Sequence, residues 1–233
     1  MKQIIETCLE TLEHVFLRNI SDFFFTEKEL HSYFLNICFS QSSLIHNGYL
    51  VVHAEYPTPF KCSYNDNDIF KLESDDSKKI RAHIDMVFLN DNYIDWISSQ
   101  KLENKYLSGI PQTELFAVFS KDLAEKYRTF YSQYKEPILS FAIEFKYLRH
   151  GYLGTKHPIK GIIQDLEKLR ALRTFPTIKH DNTFSFVENT LSLIFIGERG
   201  NYIVDNLKDE LINYQSNEYR IITKKLSLTK KLA

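Results

Sequence analysis

Apolar residues recur along the chain with two different periods, and the change of period marks its elements. Ile4, Ile5, Cys8, Leu9, Leu12, Val15 and Phe16 fall at helical spacing and predict an amphipathic first helix. Thr26-Glu27-Lys28-Glu29 has the capping-box pattern that opens a second helix, running to about Phe39, with Leu30, Phe34, Leu35, Ile37 and Cys38 among its apolar positions. Asn47-Gly48 marks a turn, after which the period becomes two. Tyr49 to Tyr56 reads as a first strand, with Val51, His53 and Glu55 on one face, and Pro57-Thr58-Pro59 ends it. The polar stretch 62–79 predicts a surface loop. A second strand, Ile80 to Leu89, places His83, Asp85 and Val87 on one face and Ile84, Met86 and Phe88 on the other.

Residues 91–137 carry Trp96 and a predicted helix from about Gln112 to Tyr134, and read as an insertion between strands. The third strand is the run Pro137 to Leu148, rich in aromatic and β-branched residues. Ser140, Ala142, Glu144 and Lys146 share one of its faces; Phe141, Ile143, Phe145 and Tyr147 share the other. Beyond Gly151 and Gly154 a helix is predicted from about Pro158 to Leu172, with Ile162, Ile163, Leu166 and Leu169 on its buried side. Leu191 to Gly197 is an unbroken apolar run of the kind found in a strand covered on both faces. A last helix, about Tyr202 to Tyr214, and a lysine-rich tail complete the order.

That order predicts an α/β fold: a mixed central sheet of meandering strands followed by a strand–helix–strand crossover, with helices on both sides. At 233 residues the chain is expected to form a single domain, 1–233, with N-terminal helices at about 1–40 and a partly helical insertion at about 91–137. With 18 Phe and 14 Tyr the core is expected to be aromatic-rich. A formal net charge of −1 excludes a global basic field, so any nucleic-acid contact must come from a local patch. Three widely spaced cysteines, Cys8, Cys38 and Cys62, suggest reduced thiols of a cytoplasmic protein. The N-terminus is too acidic and periodic for a signal peptide, and no apolar run reaches the length of a membrane span.

The candidate chemistry sits on the strands. His53 and Glu55, His83 and Asp85, then Glu144 and Lys146 place polar groups on three successive strands. Charges on an apolar strand are costly to bury unless paired or bound to metal. Asp85 and Glu144 brought together would repel unless a hard divalent cation lay between them, and oxygen ligands suit magnesium or manganese. Lys146 beside them would stabilise charge on a transferring phosphoryl group.

Asp85 within Ala82-His83-Ile84-Asp85-Met86-Val87-Phe88, followed by Glu144-Phe145-Lys146 in the next strand, resembles the PD-(D/E)xK nuclease superfamily, with Ile84 in the place of the motif's proline. The resemblance covers the second helix to the fourth strand and implies the restriction-endonuclease-like fold, an αβββαβ core. It implies Asp85, Glu144 and Lys146 as catalytic residues, and a Mg2+ or Mn2+ ion held by Asp85, Glu144 and the carbonyl of Phe145. It places accessory polar groups at Glu29 in the helix before the strands and at Gln164 and Asp165 in the helix after the motif; Glu55 is a further candidate ligand. The expected activity is phosphodiester hydrolysis of nucleic acid, DNA ahead of RNA, with phosphate contacts from Lys156, Lys160, Lys168, Arg170 and Arg173, no membrane partner, and a homodimer allowed.

Plainer readings stand beside these. Glu144 and Lys146 could form a surface cross-strand pair, His53 and His83 could be ordinary strand histidines, and Asp165 with Lys168 could be a solvated i, i+3 pair. The capping box by itself accounts for Glu29. Glu103-Asn104-Lys105 and Asp76-Ser77-Lys78 repeat the charge spacing in polar stretches without strand character. A catalytically inactive binding or structural module of the same fold is the alternative to an enzyme. Gly197-Glu198-Arg199-Gly200 lacks the spacing of a phosphate loop, and the chain has neither HExxH nor Gly-x-Ser-x-Gly.

Overall fold

The computed structural model describes residues 1–18, 26–64, 70–73, 80–99, 128–150, 157–173, 175–176, 183–199 and 203–224. Helices α1 (Lys2–Arg18) and α2 (Glu27–Phe39) precede strands β1 (Val52–Tyr64), β2 (Phe70–Glu73) and β3 (Ile80–Leu89). Helix α3 (Asp91–Ser99), strand β4 (Leu139–His150), helix α4 (His157–Arg173) and strand β5 (Val187–Arg199) follow, and helix α5 (Val204–Glu210) and strand β6 (Tyr219–Thr223) come last. The fold is mixed α/β. Its six-stranded sheet has the spatial order β6-β5-β4-β3-β1-β2. Pairing is antiparallel from β2 through β4 and parallel for β4–β5 and β5–β6. Helix α4 is the crossover that parallel β4 and β5 require.

The period-two pattern of β4 divides the core. Phe141, Ile143 and Phe145 join Met86, Phe88, Leu193 and Phe195 against Ile5, Leu9, Leu12, Phe16, Leu30 and Phe34 of α1 and α2. On the opposite face Ala142 and Val87 pack with Leu169 and Leu172 of α4, while Leu148, Ile194 and Ile196 pack with its Ile162 and Leu166. Arg220 of β6 binds Glu13 and Glu6 of α1 at 2.6 and 2.9 Å, tying the first helix to the last strand. Cys8 and Cys38 are buried and free. Among the described residues no helix is long and apolar enough to cross a membrane.

The first strand runs past the prolines that mark its end in the sequence. The β1–β3 ladder shifts register between Pro57 and Lys61, and such an irregularity tolerates the missing proline N–H. The stretch 62–79 is correspondingly not all loop: β1 continues to Tyr64 and pairs with β2, through Lys61–Glu73 to Tyr64–Phe70. In the insertion Asp91–Ser99 is helical because Tyr93, Ile94 and Trp96 bury one side of a turn; 128–134 is helical, and the rest of the predicted 112–134 helix lies outside the described residues. The last helix is shorter than its pattern, Val204–Glu210, and the added strand β6 carries too brief an apolar run to announce itself.

Phe195 is fully buried, with its ring 4.9 Å from that of Phe16 and 6.4 Å from that of Phe145. Phe195→Ala is expected to cost about 3–5 kcal/mol in chemical denaturation, whereas Leu17→Ala, at a position 49% exposed, stays within about 0.5 kcal/mol of the parent. Equal losses at the two positions would contradict this packing.

Candidate active site

The β3–β4 ladder pairs Leu89 with Leu139, Phe88 with Phe141, Val87 with Ala142 and Met86 with Ile143, and among the described residues goes no further. Beyond that point the edge of β4 needs other partners, since a buried backbone N–H without one is costly. Two carboxylates supply them. Phe145 N donates to Asp85 Oδ2 at 2.8 Å, and Tyr147 N donates to Glu27 Oε2 at 3.1 Å. Asp85 therefore reaches into the gap between the strands towards α2, rather than sharing with Glu144 the face that simple alternation gives both. Opposite it, Glu55 adopts φ 50°, uncommon for a residue with a side chain.

The capping box places Glu27. Thr26 Oγ1 accepts from Glu29 N at 3.3 Å and Glu29 Oε2 accepts from Thr26 N at 2.7 Å, so the helix opens at Glu27. One turn on, His31 lies on the same face, its ring 4.8 Å from that of Phe145 and its Nε2 3.6 Å from Asp85 Oδ2. That Nε2 is buried and has no hydrogen-bond partner among the described residues. Glu27, His31 and Asp85 each offer one potential ligand atom, all within 4.8 Å of one another. Two carboxylate oxygens and an imidazole nitrogen are a donor set that suits a divalent cation.

Glu144 is 2% exposed and stands outside that trio. Lys168 Nζ lies 2.6 Å from its Oε1 and donates to the carbonyl of His83 at 2.9 Å. Asp165 Oδ1 is 3.6 Å from the same ammonium, and its Oδ2 is 2.9 Å from Lys146 Nζ. Lys146 also lies 3.7 Å from Glu27 Oε1 and passes Gly161, whose side a Cβ would bring to 3.5 Å from Lys146 Cε. Counted with every acid ionised, the four carboxylates Glu27, Asp85, Glu144 and Asp165 against the ammoniums of Lys146 and Lys168 sum to a formal charge of −2. One divalent cation would cancel it.

Burial pushes the Glu144 carboxyl well above the ordinary range, reinforced by Asp165 and Asp85 and opposed by Lys168. Burial also raises Glu27, against the pull of Lys146 and the Tyr147 amide. Desolvation works to lower both lysines, but the acids around them prevail: Asp165, Glu27 and Glu144 for Lys146; Glu144, Asp165 and Asp85 for Lys168. Within the Glu144–Lys168 pair the lysine is the firmly charged member, because it sees further acids and a carbonyl, while Glu144 is withdrawn from water. Ser192, in register with Glu144 on β5, is also fully buried, and its Oγ has no hydrogen-bond partner among the described residues.

Several expectations change here. Glu29 completes the capping box and the helix acid at the site is Glu27. Glu55 is exposed and stands outside the trio of Glu27, His31 and Asp85. His53 Nε2 donates to the Leu50 carbonyl at 3.0 Å, and burial lowers its pKa. His83 contributes its carbonyl to the network. Asp165 and Lys168 are central and buried rather than a solvated pair. Gln164 is half-buried and outside the ion-pair network among the described residues. Arg170 is committed to Glu218, with Nε and Nη2 both at 2.8 Å, and to the Asn213 carbonyl. Lys160 and Arg173 are half-buried on α4, and Lys156 lies outside the described residues. Sequence reasoning missed Glu27 and His31; the available signal was a Glu and a His four apart on the same helix side as Leu30 and Phe34.

A carboxyl whose pKa is raised by folding gives stability that is full below its unfolded value and lost as pH rises through the folded value. The metal-free chain should thus lose stability from Glu144 as pH climbs above about 4.3, the ordinary glutamate value. In thermal unfolding with a chelator, Glu144→Gln is expected to fall less than the parent between about pH 5 and about pH 8. Parallel pH profiles for the two proteins would contradict the burial of an ionisable Glu144.

In comparisons with known proteins the chain matches no family model, no curated protein and no solved structure, so its functional reading rests on this geometry.

Proposed function

We propose that the protein is a divalent-metal-dependent nuclease that hydrolyses phosphodiester bonds, DNA ahead of RNA, with a site of the PD-(D/E)xK kind. The observation that carries the reading is the gap between β3 and β4, where Glu27, His31 and Asp85 converge beside Glu144 and Lys146. The order α2, β1, β3, β4, α4, β5, antiparallel up to β4 and parallel after it, supports a restriction-endonuclease-like core. The two carboxylates and the formal charge of −2 fit magnesium or manganese, and the His31 Nε2, unpartnered among the described residues, favours manganese of the two.

When bound, such an ion lowers the pKa of water and withdraws charge from the phosphoryl group. Glu27, His31 and Asp85 would hold it. The chain's own groups then orient the reaction, in which water adds across one P–O ester bond and the leaving oxygen takes up a proton. Lys146 is held charged by Asp165 and Glu27, so it acts as a fixed cation for the developing negative charge, not as a base. The amides of Phe145 and Tyr147 fix Asp85 and Glu27 in place. Phosphates of the substrate would meet Lys160 and Arg173 at α4, with Arg170 unavailable, and such binding weakens as salt rises. The inactive-module alternative draws on one observation, the engagement of Glu144 by Lys168.

With manganese or magnesium, Asp85→Ala and Lys146→Ala are expected to slow cleavage of plasmid, single-stranded DNA and RNA by about 10²–10³-fold. If the parent cleaves none of them, or the Lys146 variant cleaves as fast as the parent, the enzyme reading is wrong. Calorimetric titration separates the module from the enzyme at the metal itself: His31→Ala and Asp85→Ala should each weaken manganese binding about 10–100-fold, and Lys146→Ala should leave it measurable.

A further inference from the structure

Lys168 enters the gap from the α4 side and touches both of the strands that part there. Its Nζ donates to the His83 carbonyl of β3 at 2.9 Å and lies 2.6 Å from Glu144 Oε1 of β4. The residue is 8% exposed, and a lysine so buried needs close acids. Lys146 does not take this place, because its ammonium is engaged by Asp165 and Glu27. Glu144 is consequently turned to an internal cation and stands apart from the trio of Glu27, His31 and Asp85.

We propose that Lys168 is a built-in counter-ion that competes with a divalent cation for Glu144. A cation held by Glu27, His31 and Asp85 gains Glu144 as a further ligand only when the Lys168 ammonium leaves that carboxylate. The inference rests on the metal-site reading above and adds a regulation of that site. Asp165 Oδ1, 3.6 Å from the ammonium, gives it a partner to keep after the exchange, so the move does not strand a buried charge. Without metal, the ammonium offsets the repulsion that Asp165 and Asp85 exert on Glu144. Lys168 is thus a positioning residue that sets how readily the site is completed.

Manganese titration calorimetry on the full chain tests this with Lys168→Met, Lys168→Arg, Glu144→Gln and the Lys168→Met/Glu144→Gln pair. Lys168→Met is expected to bind manganese about tenfold more tightly than the parent. Lys168→Arg and Glu144→Gln should stay near the parent, and the gain should vanish in the double variant. A Lys168→Met chain that unfolds like the parent yet binds no more tightly overturns the proposal. Should that variant fail to fold, the parent chain still decides: in lysine 15N NMR, with Lys168→Arg identifying the signal, saturating magnesium must shift the Lys168 Nζ resonance. An unmoved resonance overturns the proposal even where Asp85→Ala abolishes manganese binding. Absence of manganese binding in the parent and in Lys168→Met alike overturns the metal-site reading and this inference with it.

Discussion

The hydrogen bond from Phe145 N to Asp85 Oδ2 is the contact on which the site depends. It replaces a rung of the sheet with a side chain, and so lets β3 and β4 part while the Phe145 amide keeps a partner. The amide of Tyr147, two residues on, is met by Glu27 of α2. A continuous ladder would leave no room for a carboxylate between the strands. Its interruption after Met86–Ile143 turns a structural seam into a cleft where groups from two helical layers meet.

What fills the cleft is a balance of charges that the apolar layers on either side make consequential. Aromatic and aliphatic side chains of α1 and α2 dry one face, and those of α4 the other. In that setting a carboxylate needs a cation or a backbone donor, and Asp165 accordingly touches both lysines while Lys168 touches both Glu144 and Asp165. With every acid ionised, the carboxylates of this network outnumber its ammoniums.

Much of the fold was legible in the chain. The capping box at Thr26, the alternation in Ile80–Leu89 and the unbroken run around Leu191–Gly197 correspond to the start of α2, to β3 and to the centre of β5. These signals are local, so they survive without knowledge of neighbours. Prolines at 57 and 59 misled at β1, because whether a proline ends a strand depends on whether its partner's register shifts. Tyr219–Thr223 was missed for a related reason: five residues become a strand through the edge that β5 offers them.

The sequence by itself determined which residues carry charge into the interior: Asp85, Glu144 and Lys146 stand on strands whose neighbours are apolar, and that pattern is visible in one dimension. Tertiary structure alone decided their company. Helix α2 brings Glu27 and His31 to Asp85, and α4 brings Asp165 to Lys146 and Lys168 to Glu144. Alternation along a strand predicts a face, but the break in the ladder sends Asp85 into the plane between strands, towards a helix whose first turn lies nearly sixty residues earlier in the chain. Electrostatic pairing depends on distance through space, and the sequence records only distance along the chain.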